Sequence, residues 1–120
     1  ILILNKEEGQ TLLQNNNSSM EEILIALRKL GPRIVVITDG KNGSFAIDEK
    51  GEIFKQEIVE GKIIEKTGAG DAYSSGFLGA ISQGKSIKEA MRWGAKNSAS
   101  VIEKVGAQPG LLYKTDFERL

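Results

Sequence analysis

The chain has 120 residues, of which 40% are hydrophobic and 27% charged, enough to bury one modest core in a single domain. Its 16 basic residues balance 16 acidic ones without a long run of either sign, which argues against nucleic acid and anionic membranes as partners. Cysteine and histidine are absent, which excludes disulfides, thiolate nucleophiles, Cys/His zinc sites and imidazole catalysis. A catalytic base would have to be Asp, Glu, Lys or Tyr. A cytoplasmic location is the default expectation, because no apolar run approaches the length of a membrane span.

The first predicted element is a buried strand at Ile1–Leu4. A parallel sheet needs further strands and none precedes this one, so we expect a fragment or the C-terminal domain of a longer protein. Asn5 and Glu8 follow the strand directly, and ligands of open α/β sheets bind where strands end. The alternative for this pair is a polar strand end that enters a helix.

A helix is predicted after a polar loop at Asn15–Asn17. Ser19 and Glu22 have the spacing of a capping box, which marks the start of that helix. Gly31 and Pro32 predict its end.

The next strand is predicted at Ile34–Thr38, and its continuous apolar run is typical of a central parallel strand. The segment Thr38–Gly43 follows it and is either part of a ligand site or a plain turn into a hairpin. The runs Ser44–Asp48 and Ile53–Glu57 predict a β-hairpin at the edge of the sheet. We assign this hairpin no chemistry, although its edge could pair with a second copy of the chain.

A glycine-rich turn at Thr67–Asp71 carries most of the predicted chemistry. A strand-like run, Ile58–Ile64, precedes it, and a helical pattern begins near Asp71. Glycines let backbone N–H groups converge on one point and a helix N-terminus adds partial positive charge, so the turn can bind an anion such as phosphate. Asp71 would face the group beside that phosphate, which suggests phosphoryl transfer to a hydroxyl. The alternative is an ordinary turn whose Asp71 only caps the helix.

The last long helix is predicted to begin with a second capping box, Ser86 with Glu89, and to end at about Lys104. Small residues predominate on one of its faces, which predicts close packing against another helix. A glycine-rich loop at Gly106–Gly110 follows, and a short helix is expected at residues 115–120.

Two well-known glycine motifs do not fit the chain. The dinucleotide fingerprint would need its third glycine at Tyr73, and the Walker A pattern occurs nowhere. The chain instead resembles the C-terminal signature of the ribokinase-like (PfkB-type) sugar and nucleoside kinases, which Thr67–Asp71, Gly76 and Phe77 match. Glu65-Lys66 stands where the family usually has Asp-Thr, which argues against the monovalent cation site of that region.

The resemblance implies an α/β fold with three α/β/α layers, in which a mostly parallel sheet ends in an edge β-hairpin. It also implies ATP and magnesium, with an alcohol on a sugar or nucleoside as acceptor. Asp71 would take the proton from that alcohol. The amides of Gly68, Ala69 and Gly70 would hold the transferring phosphoryl group, whose loose transition state needs positioned donors more than a strong base.

The resemblance extends to residues around the nucleotide and the metal. Asn5 and Glu8 match the family's Asn-x-x-Glu motif, which influences magnesium and phosphate through water. Asn97 lies on a helix that in relatives often carries a polar residue near the adenine or ribose, with an exposed surface Asn as an equal alternative. The other residues expected to border the nucleotide are Thr38, Gly40, Gly43, Thr67, Gly106 and Ala107.

Acceptor recognition in this family lies mostly in an N-terminal part outside these 120 residues. An isolated polypeptide of this extent is therefore expected to bind nucleotide weakly and to phosphorylate nothing. Two other functions stay open: a non-catalytic nucleotide-binding module, and a vitamin-pathway kinase that phosphorylates a hydroxymethyl group on a heteroaromatic ring. Vitamin-pathway kinases often carry Gly-Thr-Gly-Asp, so Ala69 argues mildly against the second.

Overall fold

The computed structural model describes residues 1–14, 18–59 and 69–103. They belong to two compact units, Ile1–Gln56 and Glu57–Leu120. That the whole chain forms a single domain stays a prediction. Among the helices of the described ranges, none combines the length and the apolar character needed to cross a bilayer. The predictions that fall outside the described residues concern the loop at 15–17, most of the run 58–64, the closing loop 106–110 and the helix at 115–120.

Four strands form the sheet of the first unit: β1 (Leu2–Asn5), β2 (Val35–Thr38), β3 (Ser44–Ile47) and β4 (Ile53–Gln56). They lie side by side in chain order. β1 and β2 run parallel, whereas β2 with β3 and β3 with β4 pair antiparallel. The predicted hairpin is thereby confirmed as β3 and β4.

The described part of the sheet is mixed, with one parallel and two antiparallel pairs, and agrees with the α/β fold and edge hairpin that the resemblance implies. The antiparallel pairs follow from the length of the connections. Asp39–Gly43 joins β2 to β3 and Asp48–Glu52 joins β3 to β4, and a parallel crossover would need a dozen or more residues. β2 is the inner strand that its apolar run predicts, and Val35–Ile37 are buried.

Two helices, α1 (Lys6–Leu13) and α2 (Met20–Arg28), complete the first unit. Ile23, Leu24 and Leu27 of α2 are fully buried because they recur at the spacing of one helical face. Val35, Ile37 and Ile47 of the strands belong to the same core. Because alternate residues of a strand point to the same side of the sheet, these three side chains identify the face of the sheet that packs against the helices.

α1 approaches its neighbours closely at Gly9, which is buried. A Cβ on Gly9 would lie 3.3 Å from Cδ1 of Ile37 and 3.4 Å from Cδ1 of Leu27. A larger side chain would push these groups apart. Glycine therefore lets α1 pack against β2 and α2 together.

The boundaries of α2 agree with the sequence. The N–H of Glu22 donates to Oγ of Ser19 at 3.2 Å, and the N–H of Ser19 donates to Oε1 of Glu22 at 3.1 Å, which confirms the capping box. The helix ends shortly before Gly31, whose φ of 131° favours glycine. Nη1 of Arg28 donates to the carbonyl oxygen of Glu49 at 2.8 Å, and this bond joins the end of α2 to the turn between β3 and β4.

The described part of the second unit contains two helices, α3 (Ala69–Ser82) and α4 (Ile87–Glu103). The turn between them includes Gly84, whose φ is 78°. The N–H of Glu89 donates to Oγ of Ser86 at 3.1 Å, as expected for the predicted cap of α4.

The close packing predicted for α4 is confirmed. A Cβ on Gly94 would lie 2.9 Å from the carbonyl oxygen of Tyr73, and a Cβ on Gly76 would lie 2.8 Å from the carbonyl oxygen of Trp93. The two backbones therefore touch where each helix has a glycine. The other buried residues of α4 are Ala90, Met91, Trp93, Ala95, Asn97 and Ala99.

Candidate functional site

Asn5 and Glu8 lie where β1 ends and α1 begins. The N–H of Glu8 donates to Oδ1 of Asn5 at 2.7 Å, and the N–H of Asn5 donates to Oε1 of Glu8 at 2.9 Å. This capping box is the polar strand end that the sequence offers as the alternative. The cap fixes both side chains at the end of the strand and uses one of the two carboxylate oxygens of Glu8. A magnesium role through water stays a prediction.

The strand register aligns polar residues across the sheet. Asn5 pairs with Thr38, Thr38 with Ser44, and Ser44 with Gln56. Paired residues on neighbouring strands share one face of the sheet, so these four form a polar row at the C-terminal ends of β1 and β2. Ser44 is buried, Thr38 and Gln56 are half-buried, and Asn5 is exposed.

The polar row brings together two predicted site residues, Asn5 and Thr38, and adds two that sequence reasoning missed. Ser44 and Gln56 belong to the hairpin, to which the sequence analysis assigns no chemistry. The signal that could have found them is the pair of short connections around β3, because a turn of known length sets the register of a hairpin.

A 3₁₀ turn connects β2 to β3 and carries the predicted nucleotide-binding glycines. Gly40 has a φ of 50° and Gly43 a φ of 85°, both in the region that favours glycine. The N–H of Asp39 donates to the carbonyl oxygen of Gly43 at 2.8 Å, and Nδ2 of Asn42 donates to Oδ2 of Asp39 at 3.2 Å. Apart from its chain neighbours, no atom of the described residues lies within 4 Å of the place where a Cβ on Gly40 would stand, so this part of the backbone can accept a ligand.

The N-terminus of α3 presents a carboxylate beside backbone donors. α3 begins at Ala69, so Gly70 and Asp71 lie in its first turn. Asp71 therefore lies inside the helix. The N-cap is the residue that precedes a helix, so Asp71 is not the N-cap of α3. Its side chain is exposed, and among the described residues no neighbouring element comes within 4 Å of the place of a Cβ on Gly70. First-turn N–H groups have no partner inside their helix and carry partial positive charge, so this turn can hold an anion next to a proton acceptor.

Asn97 lies on α4 and contacts the same turn of α3. It is 2% exposed, so the alternative of an exposed surface Asn is wrong. Its Nδ2 donates to the carbonyl oxygen of Ala72 at 2.7 Å. Since Ala72 directly follows Asp71, this bond holds the turn that carries the candidate base. A place beside the adenine or ribose stays a prediction for Asn97.

Within the described ranges, no three or more Asp or Glu side chains gather closely enough to hold a metal ion. The predicted residues that lie outside those ranges are Thr67, Gly68, Gly106 and Ala107.

Known protein sequences are similar along the whole chain. A model of the pfkB family carbohydrate kinases matches residues 1–113. The 5-dehydro-2-deoxygluconokinase of Bacillus subtilis (strain 168) is 28% identical over 120 residues, which is 100% of this chain and 37% of that relative. The chain therefore spans little more than a third of the length of this curated relative.

Solved structures are similar over nearly the same extent. Arabidopsis thaliana ribokinase, complexed with ribose and ATP, superposes with a TM-score of 0.84 at 27% identity over 99% of this chain and 40% of its own. Thermotoga maritima ribokinase gives a TM-score of 0.84 at 24% identity over 98% of this chain and 40% of its own. Both confirm the predicted ribokinase-like α/β fold. Together with the family match over residues 1–113, they lead to one conclusion: the chain belongs to the pfkB family of carbohydrate kinases.

Proposed function

We propose that this chain is the C-terminal, nucleotide-binding and catalytic part of a kinase that transfers the terminal phosphoryl group of ATP to an alcohol on a sugar or nucleoside. The observation that carries the proposal is the exposed carboxylate of Asp71 in the first turn of α3, directly after Gly70. The relatives support it, since one is a 5-dehydro-2-deoxygluconokinase and another is a ribokinase complexed with ribose and ATP.

Asp71 acts as the proton acceptor in this proposal. The acceptor oxygen forms its bond to phosphorus while the bond between phosphorus and the ADP oxygen breaks, and the hydroxyl proton passes to the carboxylate of Asp71. The transition state is loose, so charge grows on the transferring phosphoryl oxygens and the leaving oxygen. Backbone amides of Gly68, Ala69 and Gly70 would stabilise that charge, since such a transition state needs positioned donors.

The β2–β3 turn fits a nucleotide. Thr38 is half-buried and Gly40 has an open backbone, so a flat base or a ribose could lie against both. In this proposal Thr38, Gly40 and Gly43 contact the nucleotide.

Asn5 and Glu8 fit an indirect role at magnesium. Each side chain is oriented by the capping box, and Glu8 has a second carboxylate oxygen that can accept from a metal-bound water. Magnesium bound with ATP would neutralise phosphate charge. No three carboxylates of the described ranges gather into a metal site, and a role through water does not require them to.

The test uses the full-length parent protein with ATP and magnesium, and measures ADP formation across sugars, nucleosides and pyridoxine. We expect turnover with a sugar or a nucleoside, and a fall in kcat of roughly 10²- to 10⁴-fold for Asp71→Asn, because general base catalysis contributes about that much. Glu52→Gln is the matched control, since it removes an exposed carboxylate from the hairpin turn. ATP binding should persist in both variants.

Other results would favour the other functions. ATP binding without turnover of any acceptor would indicate a non-catalytic nucleotide-binding module, and turnover of pyridoxine alone would indicate a vitamin-pathway kinase. Full activity of Asp71→Asn would contradict the proposal directly. The isolated 120-residue polypeptide is expected to bind ATP weakly and to phosphorylate nothing.

Homodimerisation is proposed separately from catalysis. β4 has a neighbour on one side only among the described strands, and Ile53 on it is 38% exposed. An open strand edge can pair with the same edge of a second copy. Light scattering of the parent protein tests this, with Ile53→Lys as the variant expected to weaken association.

A further inference from the structure

We infer that Asn97 is a positioning residue, whose side-chain amide holds the first turn of α3 so that Asp71 stays in place during phosphoryl transfer. The inference rests on the proposed function. This role differs from that of a nucleotide contact, because Asn97 acts through Asp71 and touches neither substrate.

The first step is the hydrogen bond itself. Nδ2 of Asn97 donates to the carbonyl oxygen of Ala72 at 2.7 Å, and the side chain of Asn97 is 2% exposed. Water does not compete for a bond in such surroundings, so the bond keeps its strength. The bond therefore favours one position of the Ala72 carbonyl group.

The second step is the packing on either side of that bond. Gly94 lies against Tyr73, and Gly76 lies against Trp93, with Cβ-to-oxygen distances of 2.9 Å and 2.8 Å for an added methyl group. These contacts set how closely α3 and α4 approach. They limit the distance between the two helices, whereas a hydrogen bond also has a preferred direction. The amide of Asn97 supplies that direction at the start of α3.

The third step links this bond to the reaction. Ala72 is joined to Asp71 by a peptide bond, so a shift of the Ala72 carbonyl moves the backbone of Asp71. Misplacing a catalytic group by about 1 Å can cost roughly 100-fold in rate. Substrate binding would change less, because a side chain with 2% exposure offers little surface to a ligand.

The test compares three variants of the full-length parent. Asn97→Asp keeps the shape of the side chain but turns a carboxylate oxygen toward the Ala72 carbonyl. Asn97→Leu removes the donor without adding a buried charge, and serves if the Asp variant does not fold. Met91→Ala is the control, because Met91 is fully buried on the same helix and its truncation lowers stability by loss of packing alone.

We expect both Asn97 variants to lower kcat roughly 10- to 100-fold, with KM for ATP and for the acceptor changing by less than about threefold. Met91→Ala should lower the melting temperature at least as much while keeping kcat within about threefold of the parent. A rise in KM for ATP at constant kcat would overturn the inference and make Asn97 a nucleotide contact. An equal loss of kcat in Met91→Ala would show that Asn97 contributes only to the stability of the fold.

Amide hydrogen exchange separates this inference from the proposed function. The amides in the first two turns of α3 should exchange at least about tenfold faster in Asn97→Leu than in Met91→Ala, whether or not the parent phosphorylates anything. If the variants exchange in this way but the parent turns over no acceptor, the proposed function is wrong and the positioning role of Asn97 still holds. Equal exchange in the two variants would contradict the positioning role.

Discussion

Gly76 of α3 lies directly against the backbone of Trp93 of α4: a Cβ on Gly76 would stand 2.8 Å from the carbonyl oxygen of Trp93 and 3.0 Å from its carbonyl carbon. Backbone atoms cannot move aside as the end of a flexible side chain can. Gly79 lies on the same helix, and in the part of the chain that the structure describes no neighbouring element comes within 4 Å of the place of its Cβ. Gly76 is therefore closely packed, whereas Gly79 has open space around it.

Alanine substitutions at these glycines should have effects of opposite sign. Gly76→Ala should destabilise the parent protein by about 1–3 kcal/mol, because the added methyl group forces the two helices apart. Gly79→Ala should stabilise it by about 0.5–1 kcal/mol, because alanine has the higher helix propensity and nothing obstructs its methyl group. Urea unfolding monitored by circular dichroism measures both, and equal shifts would contradict the close contact.

The capping box at the start of α1 separates a stability role from a metal role. Asn5→Ala removes the acceptor for the N–H of Glu8 and should cost about 0.5–2 kcal/mol. Glu8→Gln keeps an oxygen that accepts from the N–H of Asn5, so the free energy of unfolding should change little. If Glu8 acts on magnesium, the Gln variant should need more magnesium for half-maximal activity. An unchanged magnesium requirement would indicate that Glu8 only caps the helix.

The cap of α2 contributes to stability in a way that depends on pH, through the carboxyl group of Glu22. Hydrogen bonds from the backbone N–H and then the hydroxyl of Ser19 lower the pKa of Glu22 below its ordinary value of 4.5, and burial opposes them. Because the folded pKa is the lower one, the cap stabilises the fold above pH 4.5, and this contribution is lost as the pH falls through the folded pKa.

Ser19→Ala should raise the pKa of Glu22 part of the way to its ordinary value, since the backbone donor remains. Carboxyl ¹³C chemical shifts followed through a pH titration give the pKa directly. Ser18→Ala is the matched control, because Ser18 precedes the cap and should leave that pKa unchanged. The idea fails if the two variants give the same titration curve.

Gly40 should discriminate between substitutions by backbone conformation alone. Its φ of 50° lies in the left-handed region, and there is open space around its missing Cβ. Gly40→Ala should cost about 1–2 kcal/mol from the strain of that conformation. Gly40→Asn should cost less, because Asn adopts left-handed conformations more readily. Thermal unfolding of both variants tests this, and equal losses would indicate that steric crowding dominates.

Much of the local structure could be predicted from the sequence because it depends on neighbouring residues. The capping box at Ser19, the hydrogen bond from the Glu89 N–H to Ser86, and the hairpin of β3 and β4 follow from the sequence, because short-range hydrogen bonds and apolar patterns determine them. The family resemblance has the same basis, since its motifs are short segments in a fixed order. The family match over residues 1–113 confirms it.

Tertiary structure decided the features that depend on residues distant in the sequence. Asn97 is the clearest case, because its spacing on a helix fits an exposed, a buried or a ligand-facing side chain equally well, and only the approach of α3 showed that it bonds to Ala72. The polar row gained Ser44 and Gln56 in the same way, through strand pairing. The sequence by itself determined most of the helices and strands and the family of the chain, because helix and strand periods, turn residues and short motifs are local properties. Which side chains meet across those elements was decided by packing, because it depends on the register and separation of segments that the chain order does not specify.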